Sequence, residues 1–177
     1  MKSPGSKRRR IAEQLELFAW RRPRVRKRRV PCEWRIVSVR EVLTPESMLQ
    51  CETPEAAVRY WHANVATAPH FNPECECFVV LMLTVKNRIR GHHLISIGML
   101  NETMAHPREV FRAAVIGGAY AVVLMHNHPS GEPEPSSADL AMTKVLADAG
   151  RILRIAVHDH VIIGHGRHVS LRAAGHI

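Results

Sequence analysis

A chain of 177 residues, 46% of them apolar, has room for one packed domain and an extension, and no apolar run reaches the ~18 residues of a membrane helix. The formal net charge of +9 is unevenly spread: residues 1–30 carry 12 Lys/Arg against 2 Glu, and residues 31–177 carry 13 against 14 acids. The basicity belongs to an N-terminal arm, which lacks the apolar stretch of roughly 7–15 residues that a secretory signal needs.

The division expected is an arm over residues 1–31 and one domain over 32–177. Residues 1–10 read as disordered, and Ile11, Leu15, Phe18 and Ala19 fall at helical spacing. Arg8, Arg9, Arg10, Arg21, Arg22, Arg24, Arg26, Lys27, Arg28 and Arg29 cannot neutralise one another. Such a run either grips nucleic-acid phosphates or is a solvated tail. Almost no aromatics are interleaved to stack bases, so both readings stand. Cys32, Cys51, Cys75 and Cys77 form no Cys-x-x-Cys pair, which suits reduced thiols in a cytoplasmic protein. Cys75 and Cys77 lack a second soft pair to complete a metal site.

Residues 33–42 have the β-branched content of an edge strand. Thr53-Pro54-Glu55 starts a helix to about residue 67, with Ala57, Val58, Trp61 and Val65 as its buried stripe. Residues 75–85 form the clearest strand, and Lys86-Asn87 turns the chain into a second over 89–98. Glu76 shares a face with Phe78, Val80 and Met82, which is costly unless the carboxylate finds a cation or reaches water at the strand start. A helix follows from Pro107 to Ile116, stopped by Gly117-Gly118. Tyr120 to Met125 reads as a buried strand, residues 137–149 as a helix ended by Gly150, and residues 152–157, 160–163 and 168–171 as strands. This alternation predicts an α/β fold, a mixed sheet flanked by helices.

The densest chemistry is His126-Asn127-His128 at the exit of the buried strand, then Ser136 and Asp139 at a helix start. Residues i and i+2 of an extended chain face the same way, so the two imidazoles converge. Two His and an Asp with a fourth position open make a ligand set for a catalytic zinc. The competing reading of Ser136-x-x-Asp139 is a capping box and nothing more. His158-x-His160 repeats the pattern without a following Ser-x-x-Asp; it is read as structural, with His160 behind the ligands. His165, His168 and His176 have no visible partners. No His-Glu-x-x-His or Pro-Cys-x-x-Cys is present, which disfavours zincin and deaminase chemistry.

His126-x-His128, Ser136 and Asp139 resemble the JAB/MPN (JAMM) metalloprotease motif. With His106-Pro107-Arg108-Glu109-Val110-Phe111 before it and Asp159-His160-Val161-Ile162-Ile163-Gly164 after it, the stretch is similar to the bacterial RadC family over about residues 53–175. The resemblance implies the MPN, cytidine-deaminase-like fold, and Zn²⁺ held by His126, His128 and Asp139 with water as the fourth ligand. It implies Glu76, in Glu76-Cys77-Phe78, as the general base, with Glu74 the alternative, and Ser136 as a donor to the oxyanion. The implied reaction is hydrolysis of a peptide or isopeptide bond in a peptide or protein substrate. RadC-like proteins also carry a DNA-repair label. Their usual N-terminal helix-hairpin-helix region has no counterpart here, where the basic arm takes its place. A second expectation is therefore a DNA-associated accessory protein of repair or of a mobile element, with a structural or idle metal.

Overall fold

The computed structural model describes residues 49–98 and 105–177; the arm and the strand expected at 33–42 lie outside them. The described residues form a five-stranded sheet: β1 (Cys77–Leu83), β2 (Ile89–Ile97), β3 (Ala121–Asn127), β4 (Ala156–Ile163) and β5 (His168–Ser170). The spatial order is β2-β1-β3-β4-β5. Pairing is antiparallel except between β3 and β4, which run parallel. The expected mixed sheet flanked by helices is therefore what the chain forms. Among the described residues, no helix is long and apolar enough to cross a membrane.

β1 and β3 are buried along their whole length; β1 reads as a continuous apolar run, and β3 does so as far as Met125, because both faces of the sheet are covered. On one face Val79, Leu81, Met125 and Val161 pack with Trp61 and Val65; on the other, Phe78, Val80 and Leu124 pack with Phe111 and Leu146. The β1–β2 turn places Asn87 at φ 52, a left-handed conformation that Asn tolerates.

α1 (Pro54–Tyr60) is capped by Thr53, whose hydroxyl accepts from the Ala56 N–H. Of the expected stripe, Ala57, Trp61 and Val65 are each 1% exposed, while Val58 is only partly buried against the same cluster. The last turn, Trp61–Val65, widens to π geometry, with the Ala66 N–H donating to the Trp61 carbonyl. α2 (Pro107–Ile116) has the expected bounds and is capped by His106 Nδ1, which accepts from the Arg108 N–H.

α3 (Ser137–Leu153) corrects the expectation that Gly150 ends it. The true C-cap is Arg154 at φ 58. Gly150 lies inside the helix, where a Cβ would stand 2.5 Å from the Ile155 carbonyl oxygen and 3.1 Å from the Phe111 ring. It is there for close packing, not for a turn. The same misreading broke the next strand in two. Ile152 and Leu153 belong to the helix, and residues 156–163 form one strand. α3 is the crossover that parallel β3 and β4 require. It brings its N-terminus back to the exit of β3.

Candidate metal centre

The site sits where β3 ends and α3 begins. His126 is the sixth residue of β3 and is fully buried, its ring stacked on Phe78 at 5.9 Å between centroids. His128 lies just past the strand, but its N–H still donates to the Ile163 carbonyl of β4. The chain stays extended, and both imidazoles come to one side.

The start of α3 brings in Asp139. Ser136 Oγ accepts from the Asp139 N–H at 3.1 Å, and Asp139 Oδ2 accepts from the Ser136 N–H at 2.8 Å and from its hydroxyl at 2.6 Å. The capping box is complete, and the same carboxylate faces both imidazoles, so the two readings of this pattern describe one arrangement. His126 Nε2 and His128 Nε2 are 2.9 Å apart, with Asp139 Oδ1 3.3 Å from the first and Oδ2 3.5 Å from the second. A tetrahedral ion about 2.0 Å from each ligand holds them roughly 3.3 Å apart. The donor set therefore fits a small divalent cation, and this trio is the group among the described residues that could hold one.

Hydrogen bonds behind the trio aim it. His128 Nδ1 is 2.8 Å from the Glu132 carbonyl oxygen. A carbonyl only accepts, so the proton is on Nδ1 and the Nε2 lone pair faces the centre. His126 Nδ1 lies 2.8 Å from His160 Nε2, and His160 Nδ1 lies 2.6 Å from Thr143 Oγ1. His160 thus stands behind His126, where the sequence placed it. The Glu132 loop is itself pinned: Arg167 pairs with Glu132 at 2.7 Å, and the His165 N–H donates to the Gly131 carbonyl. Gly131 has φ +83, and a Cβ there would meet the His165 ring at 2.5 Å. His165 and His168 thus acquire partners that the sequence did not reveal; His168 stands 3.8 Å from Glu55.

Burial raises the pKa of Asp139, but the bonds from His126, His128 and Ser136 outweigh it and hold the carboxyl well below the usual range. The hydrogen bond to Asp139 raises His128 against its partial burial, helped by the Glu132 carbonyl and the charges of Asp139 and Glu76. Burial, with the neighbouring His126, pulls His160 well below the ordinary imidazole value.

Glu76 immediately precedes β1 and is half-buried. The side chain of Asn127 holds the backbone on both sides of it. Asn127 Nδ2 donates to the Cys75 carbonyl, and Asn127 Oδ1 accepts from the Cys77 N–H. Glu74 is exposed, on a turn fixed by Asn72 Oδ1. Sequence reasoning missed Asn127, which sits in plain view between the two histidines, and Thr143, whose only signal is its spacing of four from Asp139.

A mixed sheet with helices on both faces, and a His-His-Asp trio at the strand-to-helix junction, is the frame of a JAB/MPN domain. Residues 51–176 match the family model of the RadC-like JAB domain, and the chain belongs to that family. A UPF0758 protein of Caldanaerobacter subterraneus subsp. tengcongensis is 54% identical over 101 residues, 57% of this chain and 43% of the relative. One from Methanococcoides burtonii is 51% identical over 102 residues, 58% and 44% of the two chains. One from Thermosynechococcus vestitus is 50% identical over 97 residues, 55% and 39%. The match to each spans less than half the length of these curated relatives.

Proposed function

We propose that this domain is a zinc-dependent hydrolase of peptide or isopeptide amide bonds, with His126, His128 and Asp139 as the metal ligands. The observation that carries the reading is the convergence of two Nε2 atoms and a carboxylate at 2.9–3.5 Å. Two lone pairs and an anion at that distance repel unless a cation or a shared proton stands among them. When bound, zinc would supply a Lewis acid and lower the pKa of an attacking water to about 7.

The protein's own groups do the rest. Glu76 takes the proton of the attacking water and delivers it to the leaving amine. Support for Glu76 over Glu74 comes from the Asn127 clamp on the backbone either side of it, whereas Glu74 is exposed on a turn. Ser136 Oγ turns from Asp139 Oδ2 toward the developing oxyanion, while the Ser136 N–H keeps the carboxylate in place.

The test is metal content by mass spectrometry, wild type beside the His126→Ala/His128→Ala variant. About one zinc per wild-type chain, absent from the variant, is expected. Peptidase turnover should stop on chelation, and Glu76→Gln should keep the metal while losing roughly 10²–10⁴-fold in turnover. A wild-type chain that takes up no zinc after loading and dialysis overturns the reading, and a Glu76→Gln variant with normal turnover removes Glu76 as the base.

One observation favours a second reading, of a DNA-associated accessory protein: the balance of +10 carried by residues 1–30 against −1 for residues 31–177. In that reading the arm binds phosphates and the metal is structural. The two are compatible in one chain.

A further inference from the structure

The two imidazoles of the trio are aimed by different means. His128 is fixed by a carbonyl. His126 faces another imidazole, and an imidazole nitrogen either donates or accepts. Its direction is set further back, in a chain of contacts that closes on the trio itself.

The chain starts from an acceptor. Thr143 Oγ1 lies 2.6 Å from the Asp139 carbonyl oxygen, one helical turn back, so the hydroxyl proton is committed there. The same oxygen is 2.6 Å from His160 Nδ1 and has only a lone pair left to offer. His160 therefore carries its proton on Nδ1, and its Nε2 accepts. His126 Nδ1, 2.8 Å away, is left to donate. The Nε2 lone pair of His126 then faces the centre, matching that of His128. Every member is buried: His126 and His160 are 0% exposed, Thr143 1% and Asp139 3%. Water does not compete for these bonds. At the back of the chain the Asp139 carbonyl can only accept and sets this direction. At the front Asp139 Oδ1, 3.3 Å from His126 Nε2, draws the same proton the other way, and the Thr143–His160 contacts are what hold it on Nδ1.

We propose that Thr143 and His160 are positioning residues that fix the proton of His126 on Nδ1 and so turn its Nε2 lone pair toward Asp139 and His128. The inference rests on the reading of those three as metal ligands, yet the proton's place can be read without metal. It also makes α3 supply two things to the centre: a carboxylate from the Asp139 side chain, and the orientation of His126 from the Asp139 backbone.

The experiment uses the full chain, ¹⁵N-labelled, stripped with chelator and held at pH 8. Long-range ¹H–¹⁵N correlation of the His126 ring shows which nitrogen is protonated. Wild type and Thr143→Ser, which keeps the hydroxyl, should show a protonated Nδ1. Thr143→Val should show His126 redistributed toward the Nε2–H form. Zinc affinity, measured by competition with a chromogenic chelator, should fall about 10–100-fold in Thr143→Val and stay near wild type in Thr143→Ser. His160→Gln, whose amide oxygen can still accept from His126 Nδ1, should bind zinc more tightly than His160→Leu. An unprotonated Nδ1 in wild type overturns the proposal, as does a Thr143→Val chain with wild-type zinc affinity and an unchanged His126. If the wild-type chain takes up no zinc, the proposed function falls, while the ring spectra still decide this inference.

Discussion

Asp139 joins the cap of α3, the imidazole pair and the Thr143 hydroxyl, and only its side-chain part was legible. The spacing His126-x-His128, Ser136 and Asp139 put the four residues within reach of one another, because strand alternation and a helix start are local rules. Asn127, Thr143 and the His160 contact were not legible. They depend on which strands pair and in what register, with Phe78 opposite His126 and Leu124 opposite His160, and that is decided across dozens of residues. Ser136→Ala removes the cap acceptor and one donor to Asp139. It should lower unfolding stability by about 1 kcal/mol in chemical denaturation and weaken zinc binding as well; an unchanged denaturation midpoint would show that the cap is redundant. The buried thiols give a prediction at the alkaline side. Burial pushes Cys51 and Cys77 up to about 11, with the charge of Asp159 adding to the effect at Cys51. The unfolded thiols titrate near 9, so between pH 9 and 11 the native state holds protons that the unfolded chain has released. Stability therefore falls with rising pH, by up to about 1.4 kcal/mol per pH unit for each thiol. Urea midpoints over this window should fall less steeply in a Cys51→Ala/Cys77→Ala variant than in wild type.

Among the elements, α1, α2 and the β1–β2 hairpin follow from caps, stripes and turn residues, and the sequence locates them within a few positions. α3 is the exception, for a physical reason. Glycine has two uses, a left-handed turn and a close approach, and composition does not say which applies. At Gly150 it is the approach of the Ile155 carbonyl and the Phe111 ring. Gly150→Ala should thus be destabilising even though alanine is the better helix former. A loss of roughly 1–3 kcal/mol is expected from overpacking, read from thermal unfolding. A gain of stability would mean that these neighbours yield at little cost and that the packing reading of Gly150 is wrong.

For the whole molecule, β3 lies at the centre of the sheet and shares its C-terminal end with parallel β4, the crevice side where open α/β sheets present their chemistry. The arm is proposed to act separately, through charge. If it contacts about five phosphates, the logarithm of DNA affinity should fall with that of salt at a slope near −4.5. Deleting residues 1–30 should flatten it; a truncated chain with the full slope would place the contacts elsewhere. The capping box has one more consequence. Because Asp139 Oδ2 holds the first turn of α3 while the same carboxylate faces the imidazoles, an ion bound there and the order of that helix end are thermodynamically linked. Saturation at a thousandfold over Kd adds about 4 kcal/mol to the folded state, and part of it should appear locally. Backbone amides of Ser136 and Asp139 would exchange with deuterium more slowly once the ion is bound, making the helix start a built-in gauge of occupancy.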